Sequence, residues 1–329
     1  MTINQRFTQL EPGVPQTEVE PAVRRVKRRT ARWLIAALSV ILVIGAAVPV
    51  YLRILSTQPA NSGQPVRYLG VYERSAPLSY AGVASFTATT GVRPDLLMYY
   101  SSWTEPFQAG FAAAAYEHGA TPVVQINPSR ISLAAIAAGQ YDHYLDAYAQ
   151  EVLAYGHPVI LSFGHEMNGS WYSWGYNRTS PETFVAAWRH IVTLFREQGA
   201  TNVTWLWTVN IIVTDGGIPA PNPWWPGSSY VTWVGIDGYY SNPSMTFASL
   251  FGPTITAVRE LTGDPILIAE TAVLPVVDQP AKIADLFAGL RTYGLLGFVW
   301  FAVQDWNISG SAAIGAYRRG AEGYKRNSP

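Results

Sequence analysis

Along residues 66–310, short apolar runs alternate with longer stretches whose apolar residues fall on one face of a helix. The apolar runs predict eight strands, at 68–72, 96–100, 121–127, 158–164, 203–209, 233–239, 265–269 and 297–302. Helices are predicted between several of these strands, at 107–118, 143–155, 181–197, 247–261 and 280–293. This regular alternation predicts a parallel sheet with helical crossover connections.

Local signals support these element boundaries. Ser180 precedes Pro181, and a hydroxyl followed by proline is typical of a helix start. Gly156 and Gly199 each follow a predicted helix, where the left-handed conformation ends helices. Eight strand–helix units in about 250 residues is the size of a (β/α)₈ TIM barrel. An open doubly wound sheet would alternate similarly, but no glycine-rich phosphate loop follows the first strand.

The first 65 residues predict membrane anchoring. Residues 33–52 are almost wholly apolar and match the ~20 residues of a membrane-spanning helix. Basic residues precede this segment, at Arg24, Arg25, Lys27, Arg28, Arg29 and Arg32, whereas only Arg53 follows closely. The positive-inside rule then places the N-terminus in the cytoplasm and the barrel outside the cell. A cleaved signal peptide, with Ala46 and Ala47 at its cleavage site, is the alternative.

Four segments follow from these patterns. Residues 1–32 are predicted to form a disordered basic cytoplasmic tail, 33–52 a transmembrane signal-anchor helix, 53–65 a linker and 66–329 the barrel. The expected location is therefore the cell membrane, with a single membrane pass.

Composition narrows the function. The 22 basic and 22 acidic side chains give zero net charge, so nothing indicates a nucleic-acid partner. Only 13% of residues are charged, whereas 12 Trp, 19 Tyr and 12 Phe are present. Such aromatic, weakly charged surfaces suit sugars, although any single ring is more often a core residue. Cysteine is absent, which excludes disulfides, a thiol nucleophile and thiolate metal ligands.

Two glutamates follow strongly apolar strands, at the end of the barrel where reactive groups collect. Glu166 follows the strand at 158–164, and Glu270 follows the strand at 265–269. Desolvation there raises a carboxyl pKa and favours proton transfer. Two such carboxyl groups facing each other are what glycosidic bond cleavage requires. Either glutamate alone would equally suit an ion pair or a helix cap.

The segment around Glu166 resembles the acid/base segment of glycoside hydrolase family 26, which includes many β-mannanases. It reads Gly164-His165-Glu166-Met167-Asn168-Gly169-Ser170-Trp171-Tyr172-Ser173-Trp174-Gly175. The resemblance extends over most of residues 66–310, through Leu69-Gly70-Val71-Tyr72, Tyr99-Tyr100-Ser101-Ser102-Trp103, Gly139-Gln140-Tyr141-Asp142, Trp233-Val234-Gly235-Ile236-Asp237-Gly238-Tyr239 and Val299-Trp300-Phe301.

The resemblance implies hydrolysis of β-linked polysaccharide with retention, by a double displacement. In that mechanism Glu166 is the proton donor and acid/base, and Glu270 is the nucleophile. His165 would hydrogen-bond near the nucleophile, and Tyr239 would orient Glu270. Trp300 would form the floor under the sugar, and Trp171 would contact the substrate beside Glu166.

Further residues are also assigned to the substrate cleft. Asn168 belongs to the acid/base segment, while Trp103 and Trp174 fall in loops after strands. Asp237 is interpreted as accepting hydrogen bonds near a strand end. No second histidine follows His165 at metal-binding spacing, so we expect neither a metal nor a cofactor.

Two departures weaken the link to mannan. Ser162 stands where the family commonly has an arginine, and the apolar run at 271–275 follows Glu270. The expected substrates are β-mannan, mixed-linkage β-glucan or a cell-surface exopolysaccharide. The alternative is a non-catalytic, membrane-anchored glycan-binding barrel associated with polysaccharide synthesis.

Overall fold

The computed structural model describes residues 67–213 and 217–326, and these form the predicted (β/α)₈ barrel. Eight parallel strands close in chain order, with the last paired to the first. They are β1 Tyr68–Glu73, β2 Leu96–Ser102, β3 Thr121–Asn127, β4 Val159–Phe163, β5 Val203–Asn210, β6 Trp233–Asp237, β7 Ile266–Thr271 and β8 Gly297–Ala302.

Helices surround the barrel. They are α1 Ala81–Thr90, α2 Ala109–Glu117, α3 Leu133–Ala137, α4 Asp142–Tyr155, α5 Pro181–Glu197, α6 Phe247–Leu261, α7 Gln279–Thr292 and α8 Gly310–Arg326. The predicted start of α5 is confirmed, because the Ser180 hydroxyl accepts a hydrogen bond from the Thr183 N–H at 3.3 Å. Gly156 adopts the left-handed conformation after α4, with φ of 71°.

The predicted strands differ from the observed ones mainly at their carboxyl ends. β4 ends at Phe163 because Gly164, with φ of 56°, turns the chain away from the ladder. We had predicted that Glu270 follows the end of its strand. Instead, β7 continues to Thr271, so Glu270 lies within the strand. These ends lie at the barrel mouth, where loop geometry decides how far the ladder runs.

Apolar side chains fill the barrel interior. Its core cluster includes Leu96, Met98, Val123, Ile160, Leu206, Leu267 and Val299, all buried. The packing is tight at Gly235, where an added Cβ would lie 2.6 Å from the Thr208 hydroxyl oxygen and 2.9 Å from the Ala269 Cβ. Two residues farther along β4 and β5 the inward-facing side chains become polar, as at Ser162 and Thr208, whose buried hydroxyl oxygens lie 3.1 Å apart.

The predicted tail, membrane helix and linker lie outside the described residues. Within residues 67–213 and 217–326, no helix is long and apolar enough to cross a bilayer.

Candidate active site

Glu166 lies just past β4, where the chain turns sharply. Its φ of 54° is left-handed, a conformation that costs a non-glycine residue ~1–2 kcal/mol. Two main-chain hydrogen bonds hold it: the Glu166 N–H donates to the Thr208 carbonyl at 2.9 Å, and the Gly169 N–H donates to the Glu166 carbonyl at 2.8 Å. Strain of this kind persists where the surroundings fix the residue, and it is common at functional sites.

The Glu166 carboxyl group is buried, with 7% of the residue exposed. Asn210 Nδ2 donates to one oxygen, and Trp171 Nε1 donates to the other at 2.7 Å. Burial raises the pKa of Glu166, the negative charge of Glu270 raises it further, and the two hydrogen bonds lower it in part. The net upward shift favours the protonated form, as a general acid requires.

A β-bulge turns Glu270 toward the barrel mouth. In the β6–β7 ladder Ile236 pairs with Ile268, but the next residue, Asp237, pairs with Glu270. Ala269 is therefore the extra residue on β7. Because side chains alternate along a strand, this insertion brings Ala269 and Glu270 to the inner side in succession.

Both oxygens of the Glu270 carboxyl group accept hydrogen bonds from phenols. Tyr100 donates to one oxygen, and Tyr239 donates to the other at 2.6 Å. Burial raises the pKa of Glu270, and the two phenol bonds lower it. The repulsion between Glu166 and Glu270 belongs to the pair, so ionisation of one group raises the pKa of the other. The two protons therefore leave in separate steps, which gives one carboxylate and one acid.

A third carboxyl group, that of Asp237, is fully buried at the end of β6. It pairs with Asn210 on one side of the ladder and with Glu270 on the other. We had predicted that Asp237 accepts hydrogen bonds, but neither of its carboxylate oxygens has a partner of normal hydrogen-bond geometry among the described residues. The Glu270 backbone is near enough to lower the pKa of Asp237. Burial, followed by the charges of Glu270 and Glu166, raises the pKa of Asp237 well above its usual value.

His165 lies beside Tyr100, which binds Glu270, and not against Glu270 itself. Its Nε2 is 3.1 Å from the Tyr172 hydroxyl, and its ring centre is 5.5 Å from that of Tyr100, which binds Glu270. Burial lowers the pKa of His165 to about 3, so the imidazole is neutral. Among the described residues, no group of three His, Cys, Asp or Glu side chains could hold a metal ion.

Trp171 and Trp174 have different surroundings in the loop after β4. Trp171 is half-buried and donates its Nε1 hydrogen to Glu166. Trp174 is 1% exposed, stacks on Tyr172 at 4.3 Å and donates its Nε1 hydrogen to the His165 carbonyl at 2.8 Å. Trp174 therefore supports the loop from behind, and the cleft position predicted for it is wrong.

Trp300 is also misplaced by the prediction. Val299 points into the barrel core, so Trp300, the next residue on β8, points outward. It is fully buried against Tyr317 of α8, with ring centres 5.9 Å apart. Its Nε1 donates to the Trp306 carbonyl at 2.9 Å. A ring behind the strand cannot form the floor of a sugar site.

Phe301 occupies the mouth position on β8 instead. Its ring centre lies 4.8 Å from that of Tyr72 and 5.8 Å from that of Tyr239. Trp306, in the following loop, packs 4.9 Å from Tyr239. These rings pack around Tyr239 and form an apolar wall beside the residue that holds Glu270.

Asn168 and Trp103 support the fold around the site and do not line the cleft. Asn168 is fully buried, and its side-chain amide is occupied by the main chain of Asn210. Trp103 is 5% exposed, with its ring against Tyr141 and Phe163. Asn168 is thus enclosed by the end of β5 and Trp103 by the start of α4 and the end of β4, so both side chains are used in packing and hydrogen bonding within the fold.

Tyr100 and Asn210 bind the two glutamates, although no role was predicted for either residue. Tyr100 continues the inward-facing series of Leu96 and Met98 on β2, and Asn210 is the last residue of β5. Each is a polar residue near the carboxyl end of an apolar strand. Both residues therefore carry the same sequence signal as the two glutamates and could have been predicted from it.

Comparisons with known proteins find glycoside hydrolases among the similar sequences and structures. The family model described as glycosyl hydrolase family 26 matches residues 133–263, which include Glu166 and Asn210. Endoglucanase H of Acetivibrio thermocellus is 30% identical over 298 residues, covering 84% of this chain and 33% of that protein. The β-1,3-xylanase TXYA of a Vibrio species is 31% identical over 103 residues, covering 31% of this chain and 21% of that protein.

A solved family 26 β-mannanase from Bacteroides ovatus has the same fold, with a TM-score of 0.61. It is 14% identical, and the match covers 79% of this chain and 90% of that one. The chain spans a third or less of the two curated relatives named above. The family model and these relatives together support the assignment of this barrel to glycoside hydrolase family 26.

Proposed function

We propose that the barrel is a retaining glycoside hydrolase that cleaves β-linked polysaccharide by double displacement. Glu166 gives its proton to the leaving oxygen while Glu270 attacks the anomeric carbon, so the glycosidic bond breaks as a glycosyl–Glu270 ester forms. Glu166, now ionised, takes a proton from water, which attacks the same carbon and releases Glu270. The observation that carries this proposal is the pair of buried, electrostatically coupled glutamates at the barrel mouth, one held by two phenols and the other by an amide and an indole.

The surroundings of the pair support these two roles. Two phenols hold the Glu270 carboxylate, so its attacking oxygen is oriented before substrate arrives. An amide and an indole hold the Glu166 carboxyl group without a fixed positive charge. A cationic partner would have kept Glu166 ionised, so this set of partners suits an acid.

For the substrate, we propose a β-glucan ahead of β-mannan, with a cell-surface exopolysaccharide as a further candidate. The relative aligned over 84% of the chain is named an endoglucanase. The likeness to the Bacteroides ovatus mannanase, at 14% identity, supports the fold alone. Ser162, where the family commonly has arginine, also argues against a mannan cleft.

Product stereochemistry tests this proposal. The protein is incubated with mixed-linkage β-glucan, β-mannan and β-1,3-xylan, and the first anomer released is read by ¹H NMR before mutarotation. We expect a β-anomer from at least one glucan. An α-anomer would overturn the retaining mechanism. Binding to these glycans without turnover would favour the non-catalytic glycan-binding barrel.

Tyr239→Phe should shift the acid limb of the kcat/KM profile to higher pH. The Tyr239 hydroxyl lowers the pKa of Glu270, so its removal lets the nucleophile keep its proton to higher pH. We expect a shift of about one pH unit, the scale of one hydrogen bond to a carboxylate. The alkaline limb, set by Glu166, should stay in place.

Tyr240→Phe is the matched control for Tyr239→Phe. Tyr240 is the neighbouring residue, and its hydroxyl donates to Asp285 at 3.1 Å, away from the two glutamates. This change should leave both limbs unmoved. If the two variants gave the same profile, the assigned role of Tyr239 would be wrong.

Trp300→Phe and Phe301→Ala should separate stability from activity. Trp300 is buried against α8, so its truncation to Phe leaves a cavity and an unpaired Trp306 carbonyl and should lower the melting temperature by several degrees. Phe301→Ala opens the wall beside Tyr239 and should raise KM or lower kcat by at least about tenfold. Calorimetry and steady-state kinetics measure both. Trp300→Phe with the larger kinetic loss would restore Trp300 to the cleft.

We also propose that residues 33–52 anchor the protein in the cell membrane, with residues 1–32 in the cytoplasm and the barrel outside the cell. The apolar length and the preceding basic residues support this proposal. In cells, the full chain should remain with membranes after an alkaline carbonate wash, and external protease should degrade the barrel. Release of a shortened chain into the medium would instead indicate a cleaved signal peptide.

A further inference from the structure

Asn168 pairs with the main chain of Asn210 as a neighbouring strand would. Its Oδ1 accepts from the Asn210 N–H at 2.8 Å, and its Nδ2 donates to the Asn210 carbonyl at 2.9 Å and to the Pro219 carbonyl at 3.1 Å. Asn168 is fully buried, so each of these bonds is costly to lose. One side chain thus satisfies both main-chain groups of the residue that ends β5.

The pairing extends the β4–β5 ladder beyond the point where β4 stops. The last residue pair of that ladder is Leu161 and Trp205. Farther along β5, the Glu166 N–H donates to the Thr208 carbonyl, and the Asn168 side chain hydrogen-bonds to the main chain of Asn210. The acid/base loop is therefore fastened to β5 at two successive points.

Asn210 in turn binds the carboxyl group of Glu166. Its side-chain Nδ2 donates to Glu166 Oε1, while its main chain is held by Asn168. The donor to Glu166 is thus placed by a residue two positions after Glu166 itself. We propose that Asn168 is a positioning residue for the acid/base: it fixes the Asn210 main chain so that the Asn210 amide stays hydrogen-bonded to Glu166.

The proposal rests on the acid/base role of Glu166 for its functional meaning, but its chemistry is independent of turnover. The Asn210 bond favours the ionised form of Glu166 and so lowers its pKa, against burial and Glu270. A displaced Asn210 amide would leave that pKa higher. The titratable groups that face Glu166 are Glu270 on β7, Asp237 and Tyr239 at the end of β6, and His165 on its own loop. Substitution of Asn168 changes none of these groups.

Trp171 offers a direct readout. Its Nε1 hydrogen is bonded to Glu166 Oε2 at 2.7 Å, so its indole N–H resonance in ¹H–¹⁵N NMR follows the ionisation of Glu166 without any substrate. Trp171→Phe identifies the resonance. We expect Asn168→Ala to raise the titration midpoint by about one pH unit, in the same direction as Asn210→Ala. The double variant should move no farther than Asn210→Ala alone.

Asn202→Ala is the matched control. Asn202 precedes β5 at the opposite end of the barrel and donates to the carbonyls of Val152 and His157 at 3.0 and 2.8 Å. Its loss should reduce stability but leave the Trp171 titration in place. An unmoved midpoint in Asn168→Ala, or shifts that simply add in the double variant, would overturn the proposal. If Asn168→Ala does not fold, Asn168→Ser leaves a smaller void and takes the same test.

If the protein hydrolyses no glycan, the Trp171 titration still decides whether Asn168 acts on Glu166. Conversely, an unmoved midpoint with intact turnover rejects the positioning role and leaves the hydrolase proposal standing.

Discussion

Glu270→Ala should abolish turnover of β-glycans while leaving the barrel folded. The variant removes the group that attacks the anomeric carbon, and loss of a covalent nucleophile commonly costs about 10⁴-fold or more in kcat. Tyr100 and Tyr239 lose only a shared acceptor at the barrel mouth, so the fold should survive. Release of reducing ends from β-glucan measures the loss, and circular dichroism checks the fold.

An added nucleophile separates this explanation from simple damage. With an aryl β-glycoside whose leaving group departs easily, azide can enter the space left by the Glu270 side chain. The product should be the α-glycosyl azide, because one displacement inverts the anomeric centre. Hydrolysis at more than a few per cent of the normal rate would remove Glu270 from its assigned role.

Glu105→Ala is the matched carboxylate control for Glu270→Ala. Glu105 lies in the loop after β2 on the same side of the barrel, and it is exposed. Its carboxylate accepts from the Ser102 N–H at 2.8 Å, which is a turn contact. This variant should keep nearly full activity.

The sequence was sufficient for the fold because each strand carries its own signal. β3 was predicted with its observed bounds, since an apolar run between a helix-ending glycine and a proline is local information. Glu166 was found in the same way, from the residues beside it. The bounds of β7 were missed, because the bulge at Ala269 depends on how β6 and β7 pair.

Side-chain direction was the main source of error. Trp300 and Phe301 are adjacent aromatic residues, and only the register of β8 decides which one reaches the mouth. Asn168 and Trp174 lie within the acid/base segment, but a motif identifies residues without showing which way they point. The contact between Asn210 and Glu166 joins two residues 44 positions apart in the sequence, so it depends on tertiary structure.

Glu166→Ala should slow hydrolysis according to how much the leaving group needs a proton. When a polysaccharide is cleaved without an acid, the departing sugar must leave as an alkoxide. The rate of its cleavage should therefore fall by about 10²–10⁴-fold. An aryl glycoside with an acidic phenol needs little protonation, so its first step should be nearly normal, and the glycosyl–Glu270 ester should accumulate because no base activates water. Mass spectrometry of the quenched protein measures this ester, and azide should convert it to the β-glycosyl azide, the anomer opposite to that from Glu270→Ala.

Trp171→Phe keeps the carboxyl group of Glu166 and removes only its indole donor. It should therefore shift the alkaline limb of the pH–rate profile to higher pH, without accumulation of the ester. Equal losses on both kinds of substrate in Glu166→Ala would mean that Glu166 holds the site together and does not transfer the proton.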